Sequence, residues 1–240
     1  MLVRAYLPKI MTALFGGLFI AAGILTFNNA VLFDLLFIGV LVFTAIICRK
    51  DINVLGVITI IFLLRTFEEI TWLYLGDSNL TKFVIYPSCI IISFYLRYDW
   101  AAKIFLYIGI LASTTELYWL YEDYQAPQIY WNMTLVAITL ISRNLIFSRV
   151  SITEHYLSKI MRLEAKSINL DWIIYRLYGL SLILQIIVIL EYLIRHLFGA
   201  SELVLFYYSS AYAIRAISTI SIWAIFNESY KQLAPKSLKA

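Results

Sequence analysis

Residues 31–48 have the sequence VLFDLLFIGVLVFTAIIC, an apolar stretch with one charged side chain, Asp34. A helix needs about 20 mostly apolar residues to cross the hydrocarbon core of a bilayer. Because every backbone polar group of a helix bonds within its own segment, a helix is also one of the few structures that lipid tolerates. The stretch therefore predicts a transmembrane helix.

The composition extends this prediction to the whole chain. Of its 240 residues, 62% are hydrophobic and 14% are charged, and the mean hydropathy is +0.83. Soluble domains carry about 25% charged residues, because a surface that faces water needs polar cover. We therefore predict an all-α fold, a polytopic helical membrane protein with no room for a soluble catalytic domain. A net charge of +4 is not a signature of nucleic-acid binding.

Eight stretches have the length and apolarity of membrane spans. They are residues 9–28, 31–48, 52–75, 82–98, 101–121, 127–147, 171–195 and 202–226. We predict that residues 1–240 form a single transmembrane domain of about eight helices. The first stretch is longer than the apolar core of a signal peptide, so we expect it to be a retained helix.

The positive charges between these stretches are distributed asymmetrically. The two termini and the connections on the same side of the membrane as the termini carry thirteen cations. These are Arg4, Lys9, Arg49, Lys50, Arg97, Lys103, Arg149, Lys159, Arg162, Lys166, Lys231, Lys236 and Lys239. The opposite loops carry Lys82 and Arg195. Because cytoplasmic loops are enriched in lysine and arginine, the pattern predicts that both termini are cytoplasmic. We expect a multi-pass protein of a bacterial inner (plasma) membrane.

The longest connection, residues 148–170, is predicted to hold a basic amphipathic helix on the cytoplasmic side. Ser151 and Glu154 have the spacing of a capping box, which begins a helix. Its cations are Lys159, Arg162 and Lys166. A helix of this kind binds anionic lipid at the membrane surface or a cytoplasmic protein partner. A solvated connector without a binding role is the alternative.

The third span carries three charges, Arg65, Glu68 and Glu69. Their spacing of three and four residues places them on one helix face. A charge inside a membrane is costly, so each group needs a partner or water. Arg65 can neutralise one carboxylate, and the other must be protonated, meet a second cation, or meet water and ions. We predict that this second carboxylate faces a hydrated cavity shared with Glu116.

Further polar groups are predicted at a similar depth in the outer half of the membrane. The carboxylates are Asp34, Glu68, Glu69, Glu116 and Glu191, and the cations near them are Arg65, Arg195 and Arg215. On the sixth span, Asn132, Thr139 and Arg143 share one face. These groups could form a cluster open to the outside and line a hydrated path. Alternatively, the polar side chains hold helices together by hydrogen bonds.

These features favour a channel or transporter for a small ion or solute, with membrane lipids as partners and homo-oligomerisation if it is a channel. One alternative is a sensor or anchoring subunit that docks a cytoplasmic protein through residues 148–170. A third is a membrane-embedded enzyme acting on a lipid-like substrate, with Glu68 or Glu69 as acid or base. No catalytic, metal-binding or cofactor-binding motif is found, so we predict no metal, cofactor or nucleic-acid partner.

Overall fold

The computed structural model describes residues 14, 16–49, 51–75, 79–124, 129–156 and 165–238, with side chains except at residues 79 and 229–238. Regular secondary structure throughout these ranges is helical, with no strand among them. The helices are α1 (Gly16–Leu25), α2 (Ala30–Ile47), α3 (Ile52–Tyr74), α4 (Asn79–Tyr95), α5 (Trp100–Tyr121), α6 (Tyr130–Tyr156), α7 (Asn169–Phe198) and α8 (Leu205–Leu238). The eight helices of the described ranges follow the eight predicted spans in order, and the all-α fold is confirmed for this part of the chain.

Five of the described helices are long and apolar enough to cross a membrane. They are α2, α5, α6, α7 and the first part of α8, Leu205–Glu228. In the described ranges α1 and α4 are apolar but shorter, and α3 carries Arg65, Glu68 and Glu69 in its second half. The fold is therefore that expected of a helical membrane protein. The number of crossings and their orientation stay predictions.

Aspartates lie at the starts of α3, α5 and α7. Asp51 accepts hydrogen bonds from two backbone amides of the first turn of α3, at 3.1 and 3.4 Å. Asp99 is the N-cap of α5 and accepts one from the second residue of that helix at 3.0 Å. Asp171 lies in the first turn of α7. A carboxylate at this position satisfies free amide groups and is attracted by the positive end of the helix dipole, which favours a helix start there.

The helix α6 continues through the predicted start of the cytoplasmic segment. The capping box at Ser151 lies inside Tyr130–Tyr156, so the helix start predicted there is wrong. Within a continuous helix the amides of that turn bond to the preceding turn, and a cap has nothing to satisfy. Lys159 and Arg162 lie outside the described residues, whereas Lys166 lies in the non-helical residues before α7.

The chain divides into two compact units, and each is described by itself. Unit 1 comprises Met1–Phe62, Leu145–Leu177 and Ile214–Ala240, and unit 2 comprises Leu63–Asn144 and Tyr178–Ala213. The helices α3, α6, α7 and α8 therefore contribute residues to both units.

In unit 1, α1 packs closely on α8 through small residues. A methyl group added at Gly16 would lie 3.0 Å from the ring of Trp223, and one at Gly23 would lie 3.0 Å from the hydroxyl oxygen of Thr219. Small residues let helix backbones approach each other in a membrane. Phe19 of α1 also contacts α8, with its ring centroid 5.4 Å from that of Phe226.

The core of unit 2 is built from α4, α5, α6 and α7. Its fully buried side chains include Ala102, Met133, Val136, Leu182 and Ile189. These apolar contacts hold in place the four helices that carry most of the polar side chains described next.

Candidate functional site

The charged face of α3 contains an ion pair within one helical turn. Arg65 Nη1 lies 2.9 Å from Glu68 Oε2, and both side chains are about one-fifth exposed, at 23% and 20%. Glu69 is exposed. The structure therefore identifies Glu68 as the glutamate that pairs with Arg65. The role predicted for this group remains a prediction.

Glu116 is buried on α5 and has its partners on α4. Lys82 Nζ lies 2.6 Å from Glu116 Oε1, and the hydroxyl of Tyr86 donates to Glu116 Oε2 at 3.2 Å. The side chains of Lys82 and Glu116 are 15% and 6% exposed. Sequence reasoning missed this pair because it treats Lys82 only as a cation of the outer loops.

A cleft of about 370 Å³ opens beside the Lys82–Glu116 pair and is lined by α4 and α5. Apart from this pair, Tyr86 and Ser113, its lining residues are apolar. Glu69 is not among them. The sequence predicted a cavity shared by Glu116 and one of the two glutamates Glu68 and Glu69. Neither of these glutamates lines this cleft, so the cleft is not the predicted cavity.

Polar side chains also occupy the interior of unit 2, on the facing sides of α6 and α7. We call Thr139, Ser142, Tyr178, Ser181 and Gln185 the inner polar face; each is buried. The Gln185 amide nitrogen donates to Ser181 Oγ at 3.4 Å and to Thr139 Oγ1 at 3.5 Å. The Gln185 amide oxygen and the Tyr178 hydroxyl are buried without a hydrogen-bond partner among the described residues.

Buried polar atoms without a partner are rare in native proteins, and they commonly mark a place for water or an ion. Sequence reasoning found Thr139 but missed the three residues of α7. Their spacing of three and four residues was the signal, because Tyr178, Ser181 and Gln185 fall on one helix face.

Arg143 of α6 lies next to the inner polar face and is 3% exposed. Its guanidinium contacts both carboxylate oxygens of Asp99, the N-cap of α5, and lies 5.4 Å from the ring centroid of Trp100. The absence of a side chain at Gly179 leaves room for it, since a methyl group there would lie 3.6 Å from Arg143 Nε. Asn132, predicted on the same stripe, is half-buried near the start of α6.

Two other predicted pathway residues contact backbone groups at the end of another helix. Glu191 is buried and accepts hydrogen bonds from the backbone amides of Phe206 and Tyr207, at 2.6 and 3.3 Å, in the first turn of α8. Arg215 donates to the backbone carbonyl of Phe27, just beyond α1. Both contacts satisfy backbone groups that a helix end leaves free, and a structural role explains them.

The five carboxylates predicted to share one polar cluster have different surroundings. Glu68 pairs on its own helix, Glu116 pairs with a lysine of α4, and Glu191 bonds to backbone amides. Glu69 is exposed, and Asp34 is half-buried in unit 1. The described contacts do not bring them together, because Glu68, Glu116 and Glu191 each contact a different partner.

Unit 1 contains a buried arginine network that sequence reasoning missed. Arg149 is 1% exposed, and its Nε and Nη2 donate to the two carboxylate oxygens of Asp171 at 2.5 and 2.6 Å. Arg149 also donates to the Lys166 carbonyl at 2.7 Å and to Asn53 Oδ1 at 3.3 Å. A methyl group at Gly56 would lie 3.1 Å from Arg149 Cδ, so glycine leaves the space that the arginine fills.

A repeated pattern in the sequence could have indicated both arginine pairs. Asp99 and Asp171 are each followed by tryptophan and each stand at the start of an apolar stretch. Arg143 and Arg149 lie six residues apart near the end of the stretch between them. Each arginine pairs with one of the two aspartates.

Comparisons with protein-family models, with curated proteins and with solved structures found no match for this chain. Within the described ranges, no group of three or more histidine, cysteine, aspartate or glutamate residues has the arrangement of a metal site. The proposal below therefore depends on the geometry of the inner polar face.

Proposed function

We propose that this chain crosses a membrane eight times, with both termini on the cytoplasmic side, and that it transports a small ion through unit 2. The topology is supported by the thirteen cations on one set of span ends and by the order of the eight helices in the described ranges. The transport function is supported by the inner polar face.

The observation that carries the transport proposal is the pair of unpartnered buried oxygens, on Tyr178 and Gln185. In the hydrocarbon core of a bilayer, water cannot reach a polar group unless the protein provides a path. Polar atoms without a hydrogen-bond partner are therefore costly there. A bundle that served only as an anchor would gain stability from apolar residues at both positions. Water or an ion passing along the face would supply the missing partner.

The position of the face along α7 agrees with such a path. Tyr178 and Gln185 are seven residues apart, or about 10 Å along the helix at 1.5 Å per residue, and both lie inside the predicted span 171–195. That length is about one-third of the hydrocarbon thickness. The oxygen atoms of the face can replace part of the hydration shell of a cation, as polar oxygens do in selective pores.

The Arg65–Glu68 pair belongs to the same unit and supplies charge near the face. Tyr178 is close enough to both groups to interact with them electrostatically. The Arg65 guanidinium offers five donors, so it can hold Glu68 and still reorient water near the hydroxyl. We assign the pair the role of setting the local potential along the path.

Replacement of Tyr178 by phenylalanine tests this proposal. We expect proteoliposomes with a K⁺ gradient and a potential-sensitive dye to show ion flux that falls at least about tenfold in Tyr178→Phe, equivalent to about 1.4 kcal/mol in the barrier. Thermal stability should stay unchanged or rise, because the hydroxyl lost makes no hydrogen bond in the described residues. Tyr107→Phe, at an exposed position of α5, is the matched control and should conduct normally.

Wild-type proteoliposomes without ion or proton flux would contradict the proposal directly. So would a Tyr178→Phe variant with normal flux, since the face would then be structural.

The contacts of Lys166 favour docking of a cytoplasmic partner as the second candidate. Its backbone carbonyl is held by Arg149 and its backbone amide by Asn53 Oδ1, at 2.7 and 2.8 Å. This fixes one end of the predicted basic segment 148–170 on unit 1 and presents the exposed Lys166 side chain. Full flux from the purified chain alone favours transport, whereas flux that requires an added protein favours docking.

A further inference from the structure

The Lys82–Glu116 pair lies near one end of the α4–α5 cleft. Lys82 is in the first turn of α4, and Glu116 is within two turns of the end of α5. In a spanning helix those turns lie close to the level of the lipid headgroups. The cleft therefore begins at a charged pair near the membrane surface.

From the charged pair the cleft extends along apolar side chains toward the middle of α4. Phe83, Ile91 and Leu117 line it and are 60%, 67% and 58% exposed. Lys82 and Ile91 are nine residues apart, or about 13 Å along the helix. Its volume of about 370 Å³ falls within the range of ligand pockets. An opening of this shape and polarity matches an acyl chain attached to a polar headgroup.

Pro87 lines the same cleft. Proline has no backbone N–H, so the carbonyl of Phe83, one turn earlier, receives no hydrogen bond from it. A backbone carbonyl that lacks its helical hydrogen bond can accept one from a donor outside the helix. The cleft thus combines an anionic group, a cationic group and a weakened helical turn within one short stretch of α4 and α5.

We propose that the α4–α5 cleft binds one phospholipid whose headgroup carries a primary amine. Its ammonium group donates to the Glu116 carboxylate, its phosphate accepts from Lys82, and one acyl chain lies along Phe83, Ile91 and Leu117. This site is separate from the inner polar face and does not depend on ion transport.

The ion pair keeps enough hydrogen-bonding capacity for both headgroup contacts. An ammonium group has three donors, and Lys82 uses one of them on Glu116 Oε1. Each carboxylate oxygen has two lone pairs, and Lys82 and Tyr86 each occupy one oxygen of Glu116. The headgroup can therefore bind beside the pair without breaking it.

The charges of the pair select between headgroups. A neutral pair with adjacent positive and negative groups is the complement of a zwitterion, whereas a purely anionic headgroup would meet the Glu116 carboxylate as a like charge. A choline headgroup carries no N–H to donate. A primary amine is therefore preferred over both.

The test compares lipids with the same acyl chains on the purified full-length chain in detergent. Native mass spectrometry with dioleoyl phosphatidylethanolamine, phosphatidylcholine and phosphatidylglycerol measures the three affinities. We expect phosphatidylethanolamine to bind at least about tenfold more tightly than the other two, since a charge-assisted hydrogen bond contributes that much. Glu116→Gln should bring phosphatidylethanolamine and phosphatidylcholine to equal affinity.

A matched pair of variants on α5 tests the position of the acyl chain. Ser113 lines the cleft and Thr114 does not, yet both hydroxyls bond to the backbone one turn earlier, at 2.7 and 2.8 Å. We expect Ser113→Trp to reduce phosphatidylethanolamine binding at least about tenfold and Thr114→Trp to leave it unchanged. Equal binding by the two variants overturns the proposal.

The comparison of lipids needs no variant, so a folding defect in Ser113→Trp leaves the proposal testable. Equal affinity of the wild-type chain for phosphatidylethanolamine and phosphatidylcholine overturns it. Phosphatidylglycerol binding as tightly as phosphatidylethanolamine also overturns it, because Lys82 would then be acting alone as an anion site.

Discussion

Replacing Arg149 with glutamine is expected to lower the free energy of unfolding by about 3–5 kcal/mol. The side chains of Arg149 and Asp171 are 1% and 11% exposed and share two hydrogen bonds. Removing the cation leaves the Asp171 carboxylate buried without its counter-charge. It also removes the donors to the Lys166 carbonyl and to Asn53. Reversible unfolding of the purified chain in mixed micelles, followed by circular dichroism, measures the change.

Arg176→Gln is the matched control for this experiment. Arg176 belongs to unit 1 but is exposed, with its guanidinium 4.4 Å from the ring centroid of Trp172. An exposed cation–π contact contributes about 0.5–1 kcal/mol. Similar losses in the Arg149 and Arg176 variants would show that the buried network contributes little. Asp171→Asn should resemble Arg149→Gln, because it strands the other charge of the same pair.

Glu68→Gln and Glu69→Gln are expected to differ in ion flux, although they change adjacent residues in the same way. Glu68 holds Arg65 at 2.9 Å and lies in electrostatic reach of Tyr178, whereas Glu69 is exposed. We expect flux in the proteoliposome assay to fall at least about tenfold in Glu68→Gln and to stay normal in Glu69→Gln. Glu68→Gln removes the negative charge, and so changes the electrostatic potential along the path, while it keeps a side chain of nearly the same size at that position.

Stability measurements on the same two variants separate a folding defect from a transport defect. The Arg65–Glu68 pair is partly exposed, and such pairs contribute little to stability, so both variants should melt close to the wild type. Normal flux in both variants would make this charged face structural. Lost flux in Glu69→Gln with normal flux in Glu68→Gln would place the path on the other side of α3.

The order of the helices could be predicted from the sequence because it depends on local properties. Apolar length identifies α2 and α7 directly, and the Asp51 and Asp99 caps coincide with helix starts. The end of α6 could not be predicted, because nothing between residues 147 and 156 breaks a helix. The segment holds no glycine or proline, so α6 continues past the predicted end of its span.

The charged contacts were harder to predict because they depend on which helices are neighbours. Glu116 is 34 residues from Lys82 and Arg143 is 44 residues from Asp99, so spacing on one helix gives no indication of either pair. Arg65 and Glu68 lie on a single helix, and their contact follows from periodicity alone. The sequence predicts a cluster of carboxylates because it indicates how deep each residue lies in the membrane, but not which helices are neighbours.

The positions of Arg143 and Arg149 along the chain also set an order of events during synthesis. When Arg143 is made, its partner Asp99 has been made 44 residues earlier. Arg149 instead precedes Asp171 by 22 residues, which takes about 1–4 s at roughly 5–20 residues per second. For that interval the newly made end of α6 carries a guanidinium whose counter-ion does not yet exist. That end of α6 has no buried counter-charge until Asp171 of α7 has been made, so we expect the end of α6 and the start of α7 to become buried together.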